Sequence, residues 1–157
     1  MNNKRHGNGK LYEYRNGKWI EYYNGEWASD CFNGEGKLTT RDGIVYEGTY
    51  ENGVFVNGKA MKNGVVISEG EYRNWRIVKG HKYENGNDYE GEFNENELLN
   101  SEGTLTYSNG HIYKGTFENG ELVEGSIRKG NIEYVGTFNN YQLVQGYVCN
   151  YGINHPI

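Results

Sequence analysis

The sequence predicts an all-β protein, an elongated single-layer array of antiparallel β-hairpins. Three observations predict this fold class. A tyrosine–glycine–aromatic motif recurs every 21 to 24 residues, Asn-Gly and Asp-Gly pairs separate strand-like segments, and helix-favouring residues are scarce. The 157 residues include 24 glycines and 15 tyrosines but two alanines, and only 35% are hydrophobic. Tyrosine, threonine and valine favour strands, and so few aliphatic residues argue against a large two-layer core.

The repeat consists of six units. They begin at Tyr23, Tyr46, Ser68, Tyr89, Tyr113 and Tyr134. A glycine follows two positions later in every unit, at Gly25, Gly48, Gly70, Gly91, Gly115 and Gly136. A fixed period of this length is typical of repeat architectures. We therefore interpret residues 1–157 as one repeat domain, with a partial unit at about 4–22 and a C-terminal cap at about 147–157.

Two short strands fill each unit. Asn63-Gly64 and Asn85-Gly86 are examples of the turns between units, and Asn52-Gly53 and Asn119-Gly120 reverse the chain within units. Asn-Gly between strand-like segments is the strongest short-range signal for a hairpin. Because a lone hairpin is marginally stable in water, the units must stabilise one another in series.

One face of the sheet is expected to carry an aromatic ladder. Side chains alternate across a strand, so the first aromatic, the glycine and the second aromatic of a unit share a face. The other face is polar and mostly acidic. We expect the strand glycines to be structural, leaving space for rings of the adjacent hairpin. The ladder is the candidate binding groove and comprises Tyr23, Trp27, Tyr46, Tyr50, Tyr72, Tyr89, Phe93, Tyr113, Phe117, Tyr134 and Phe138.

Segments such as YEGTYENG (46–53), YEGEFNEN (89–96), YKGTFENG (113–120) and YVGTFNNY (134–141) resemble MORN repeats (membrane occupation and recognition nexus). The resemblance extends from about residue 4 to residue 146. It implies a row of β-hairpins and a scaffold that binds proteins, dimerises or contacts phospholipid. One departure is in the second strand, where Ala60, Lys82, Ile127 and Val148 stand in place of a second family glycine.

Apolar pairs in mid-unit are a second departure from the family pattern. Phe55-Val56 and Leu122-Val123 are examples. One interpretation is a small satellite core. The other is an apolar ridge along one edge of the sheet, because large exposed apolar patches mark interaction sites. The candidate ridge residues are Phe55, Ile77, Leu98, Leu122 and Leu143.

The sequence offers no catalytic constellation. None of the four histidines has a metal-binding partner at zinc spacing, and the glutamate ladder is explained by a solvated face. We expect no enzyme activity, no cofactor and no metal. The segment NGKWIEYYNGEW (16–27) also resembles aromatic repeats that bind choline or cell-wall sugars, because aromatic faces attract quaternary ammonium groups. This alternative is weakened by the low number of tryptophans, three.

The charge distribution bears on the partner. The net charge is −5, yet residues 1–18 carry five basic residues and one acid. An acidic body argues against nucleic acid. The main hypothesis is a cytoplasmic protein-binding scaffold that self-associates or lies next to a membrane or the cytoskeleton. Peripheral association with anionic phospholipid and an inhibitor or immunity-type role are alternatives. Two isolated cysteines and no apolar leader favour a reducing compartment.

Overall fold

The computed structural model describes residues 4–152, and this range is all-β. Thirteen antiparallel strands follow the order of the chain in the sheet. The strands are β1 Gly7–Arg15, β2 Lys18–Ala28, β3 Cys31–Thr39, β4 Ile44–Glu51, β5 Val54–Lys62, β6 Val65–Arg73, β7 Arg76–Glu84, β8 Asn87–Phe93, β9 Leu99–Thr106, β10 Ile112–Glu118, β11 Glu121–Lys129, β12 Ile132–Asn139 and β13 Gln142–Asn150. The prediction of an all-β hairpin array is confirmed.

Tight turns explain why the sequence folds into hairpins. Asn52 and Gly53 connect β4 to β5 with φ angles of 51° and 86°, the left-handed conformations that a two-residue hairpin turn requires. Asparagine and glycine adopt these angles at low cost. The predicted Asn-Gly turns therefore occur where the sequence places them.

The chain forms two compact units, Met1–Ile77 and Val78–Ile157. Within each unit one glycine per strand lies opposite the glycine of the next strand. The row in the first unit is Gly9, Gly25, Gly36, Gly48, Gly58 and Gly70. The row in the second unit is Gly80, Gly91, Gly103, Gly115, Gly125, Gly136 and Gly146. The six predicted glycines are thus among the thirteen of the two rows, which also include glycines of the intervening strands.

Close approach of two backbones is the reason for Gly48. It has a φ of 153°, and a Cβ there would lie 2.7 Å from the Cα of Gly58 and nearer still to the Asn57 carbonyl oxygen. The expected reason, space for a ring, applies instead at Gly36, where a Cβ would lie 2.5 Å from the Cζ of Tyr23. Glycine is therefore required for two different reasons along one row.

The core of each unit lies on the face that carries the glycine row. In the first unit, Tyr23, Tyr50 and Phe55 are fully buried. In the second unit, Phe117 and Leu122 have the same role. Aromatic side chains cover large areas, which compensates for the low aliphatic content.

A β-bulge accounts for the apolar pairs of β5 and β11. Tyr50 lies opposite Phe55 while Thr49 lies opposite Asn57, so Val56 is the extra residue. The bulge shifts the alternation by one, and Phe55 therefore faces the core together with Tyr50. The same shift occurs at Phe117 and Leu122 in the second unit.

The predicted boundaries fall inside strands. The partial unit at about 4–22 ends within β2. Its last residue, Tyr22, is the extra residue of a bulge in that strand. Residues 147–150 of the predicted cap belong to β13, and 153–157 lie outside the described residues. By register, Ala60 and Lys82 correspond to Leu38 and Leu105 rather than to a glycine.

Candidate functional site

The second aromatic of every unit lies in the core and not in an open groove. Six of the predicted groove residues occupy this position and are buried: Trp27, Tyr50, Tyr72, Phe93, Phe117 and Phe138. Tyr50 and Phe117 have no exposed surface at all. These rings stabilise the fold, and a partner has no access to the fully buried ones.

The burial of the first aromatic differs from unit to unit. Tyr23 and Tyr113 are buried, whereas Tyr46, Tyr89 and Tyr134 are half-buried. Only the last three present part of a ring to solvent. The expected continuous aromatic groove is therefore reduced to separate part-exposed rings.

The predicted apolar ridge is also mainly core. Phe55, Ile77 and Leu122 are at most 2% exposed, and Leu143 is half-buried. Leu98 is 41% exposed while its neighbour Leu99 is buried. The ridge interpretation is thus wrong for these three buried residues, and a bulge turns Phe55 and Leu122 inward.

An exposed aromatic cluster lies instead on β1 and β2. It consists of Tyr12, Tyr14 and Trp19, whose exposed fractions are 49%, 61% and 69%. Tyr14 and Trp19 are opposite each other across the hairpin, with ring centroids 5.2 Å apart and planes at 64°. The bulge at Tyr22 shifts the alternation of β2, so Trp19 comes to the same face as Tyr14. Tyrosine and tryptophan are typical interface anchors.

An arginine pair lies on the other face of the same hairpin, because Glu13 and Arg15 alternate with Tyr12 and Tyr14 along β1. Arg15 donates from Nε and Nη2 to Glu13 Oε2 at 3.1 and 2.7 Å. Arg41 donates from the same two nitrogens to Glu13 Oε1, with 3.0 Å for the Nε bond. One carboxylate therefore holds two guanidinium groups, and the arrangement keeps a net positive charge.

Electrostatics favour the ionised forms of Glu13 and Arg41. The hydrogen bonds from Arg15 and then Arg41 lower the pKa of Glu13. The hydrogen bond to Glu13 raises the pKa of Arg41. The Arg15 guanidinium also lies 5.9 Å from the centre of the Tyr22 ring, within range of a cation–π contact.

Two open pockets adjoin the arginine pair. The larger, of about 480 Å³, is lined by Leu11, Tyr12, Glu13, Tyr22, Thr40 and Arg41. The smaller, of about 380 Å³, is lined by Tyr14, Arg15, Asn16 and Arg41. Arg41 borders both pockets, and its side chain is 79% exposed. The first hairpin thus carries aromatic surface on one face and the accessible guanidinium group of Arg41 against the other.

Neither protein-family models nor curated proteins match this sequence. The geometry alone therefore carries the functional argument.

A lysine at a core position marks a second feature, in the second unit. Lys82 pairs with Tyr89 across β7 and β8. The residues at the equivalent position in β9 and β11, Leu105 and Ile127, are buried. The Lys82 Nζ donates to the Glu97 carbonyl oxygen at 3.1 Å, with carboxylates of Glu84 and Glu97 at 3.8 and 3.9 Å. Lys82, Glu84 and Glu97 line a pocket of about 190 Å³. Burial raises the pKa of two tyrosines in its wall, which are Tyr107 and Tyr141.

Sequence reasoning missed the exposed cluster because Tyr12, Tyr14 and Trp19 precede the first full unit. The sequence does contain a signal for this cluster, since three aromatics fall within eight residues and overlap the segment with an excess of basic residues. Within residues 4–152, no group of three or more histidine, cysteine or acidic side chains could hold a metal ion. No helix in that range is long and apolar enough to span a membrane.

Proposed function

We propose that this chain is a non-enzymatic, MORN-type repeat scaffold that binds a protein partner through its first hairpin. The supporting observation is the exposed aromatic cluster on β1 and β2. A strand pair holds these rings in place, so less side-chain entropy is lost on binding than with rings on a mobile loop. Exposed tyrosine and tryptophan anchors are typical of the energetic centre of a protein interface.

The repeat supports the scaffold assignment. The strand glycines, the paired turns and the second aromatics recur with one period, which is the pattern that suggested MORN repeats. The two cysteines, Cys31 and Cys149, are free thiols, which is consistent with a reducing compartment such as the cytoplasm.

Affinity capture with matched variants tests this proposal. Wild-type chain, Tyr14→Ala/Trp19→Ala and Tyr147→Ala are immobilised and exposed to an extract of the native cell. Tyr147 is the control because it is also 61% exposed but lies in the second unit. We expect one partner to be captured by wild type and Tyr147→Ala and lost with the double variant. Equal capture by a folded double variant would show that the first hairpin is not the binding surface.

A further inference from the structure

We propose that the open edge of β13 is a dimer interface, at which β13 pairs antiparallel with β13 of a second copy across a two-fold axis at Gly146. This inference goes beyond the proposed function, because it concerns the second unit and a partner of the same sequence. Within residues 4–152, β13 pairs with β12 alone. Its other side is therefore an edge that offers a template for a further strand.

Unpaired backbone groups on β13 are the first support. In an antiparallel pair, every second residue of a strand directs its N–H and C=O to the same neighbour. The Tyr151 N–H donates at 2.7 Å to the carbonyl oxygen of Asn131, which directly precedes β12. The odd-numbered residues of 147–151 therefore bond towards β12. Gly146 and Val148 alternate with them and direct their N–H and C=O groups outward from the sheet edge.

The absence of charge on β13 is the second support. Its sequence, QLVQGYVCN, contains no charged residue and no proline, whereas each of the other described strands carries at least one charged residue. The first strand, β1, carries Lys10, Glu13 and Arg15. Proteins protect edge strands against pairing with charged side chains, above all lysine, or with proline. β13 lacks this protection, and two copies of it meet without repulsion between like charges.

Exposed apolar side chains at this edge are the third support. Val148 follows the row glycine of its strand by two residues, as Ile127 does in β11. Ile127 is 2% exposed, because β12 places Tyr134 opposite it. Val148 is 55% exposed, and Val144 on the same strand is 63% exposed. A further strand is what buries this position elsewhere in the second unit, and β13 lacks one.

The glycine row favours a second copy as the occupant of the edge. In the second unit, each row glycine from Gly91 to Gly136 lies opposite a glycine on both neighbouring strands. Two-fold pairing gives Gly146 the same environment, since it lies opposite its own counterpart. Val148 then lies opposite Val144 of the second copy. Both valines are two residues from Gly146, so alternation places them on the glycine-row face, where each covers the other.

The β1 strand of a second copy does not fit this edge. A two-residue turn joins Arg15 to Lys18, and such a turn bonds its flanking residues to each other. Every second residue from Arg15 back to Gly9 therefore bonds towards β2. Gly9 directs no backbone group outward and cannot form a hydrogen-bonded pair with Gly146. We therefore expect a closed dimer and not an open chain of copies.

Sedimentation equilibrium of the full chain and two variants tests the interface. Val148→Lys places a charge opposite Val144 of the second copy, and Lys82 shows that a strand of this array accepts a lysine at the equivalent position. Val65→Lys is the control, because Val65 is 63% exposed and lies on β6 in the first unit. We expect wild type and Val65→Lys to dimerise at about 50 μM, and Val148→Lys to weaken the dimer at least about tenfold. Circular dichroism confirms that each variant is folded.

Hydrogen exchange followed by NMR identifies the strand that pairs. The amides of Gly146 and Val148 point outward and should exchange at least about tenfold more slowly in the dimer than in the dilute monomer. The amides of Tyr147 and Cys149 already bond to β12, so their exchange should depend little on protein concentration.

Four results would overturn the inference. They are a monomer at about 50 μM, a dimer retained by folded Val148→Lys, a dimer in which the Gly146 and Val148 amides exchange as fast as in the monomer, and oligomers that keep growing with concentration. The proposed function is tested separately. Tyr14→Ala/Trp19→Ala should dimerise like wild type, and monomeric Val148→Lys should still capture the partner through the first hairpin.

Discussion

The indole of Trp75 packs against the ring of Tyr46, with ring centroids 5.1 Å apart at 73°. Trp75 occupies the second position of the β6–β7 turn with a φ of 63°. Gly53 occupies the corresponding position one unit earlier. A tryptophan in the left-handed region is strained, and the packing of its ring on Tyr46, Tyr50 and Phe55 offsets this cost. Tyr141, with a φ of 61°, repeats the arrangement on Tyr113 in the second unit.

Replacing Trp75 with glycine should therefore destabilise the protein although it removes backbone strain. Relief of the left-handed strain is worth roughly 1 kcal/mol, whereas loss of a large aromatic contact costs about 3 kcal/mol. We expect a net loss of about 2 kcal/mol in the free energy of unfolding, measured by chemical denaturation. Gly53→Ala is the control, because a Cβ there meets no neighbour and its cost is strain alone, roughly 1 kcal/mol. An increase in stability with Trp75→Gly would show that the ring contributes little.

Valine at Gly48 should destabilise the sheet far more than valine at Glu47. At Gly48 the new side chain collides with the backbone of β5 and β-branching excludes the observed φ. We expect a loss of more than about 3 kcal/mol or failure to fold. Glu47 is exposed on the opposite face, and valine favours strands. Its substitution should change stability by less than about 0.5 kcal/mol. Thermal denaturation of both variants provides the comparison, and similar melting temperatures would contradict the close-approach argument.

The hairpin array was predictable because its signals are local. Asn52-Gly53 specifies a turn by the φ angles of two residues, and the motif around Gly48 repeats with one period. The burial of Phe55 was not predictable, because a bulge in register decides which face it occupies. The role of Arg41 depends on a contact with Glu13, 28 residues earlier. Alternation within a strand says nothing about such pairs. The exposed aromatic cluster was missed because its residues precede the first full unit.

The ion pairs of the first unit should make stability fall in acid. The pKa of Glu13 is lowered in the folded protein, so its stabilising effect is complete above the unfolded value of about 4.5. It is lost as the pH falls through the lowered folded pKa. Asp30, whose pKa is lowered by hydrogen bonds from Arg5, acts in the same direction.

Denaturation of wild type and Glu13→Gln across this pH range measures the effect. We expect the stability of Glu13→Gln to fall less steeply between about pH 5 and pH 3, because one depressed carboxyl group has been removed. Asp30→Asn should add to this flattening, since the two acids contact different arginines. Parallel curves for wild type and Glu13→Gln would mean that the arginine pair does not stabilise the folded state.

Replacing Lys82 with leucine should stabilise the second unit. Leucine or isoleucine is buried at the equivalent positions Leu105 and Ile127, and a lysine there must keep its ammonium group hydrated or paired. The change extends the apolar row, and we expect a gain of about 1 kcal/mol in the free energy of unfolding. Urea denaturation measures it, with Lys79→Leu on the exposed face of the same strand as the control. Lys82→Leu should raise the denaturation midpoint while Lys79→Leu leaves it nearly unchanged. Destabilisation by Lys82→Leu alone would instead show that the bonds from Lys82 to Glu97 hold the β8–β9 loop in place, and that the lysine is a structural requirement of this unit.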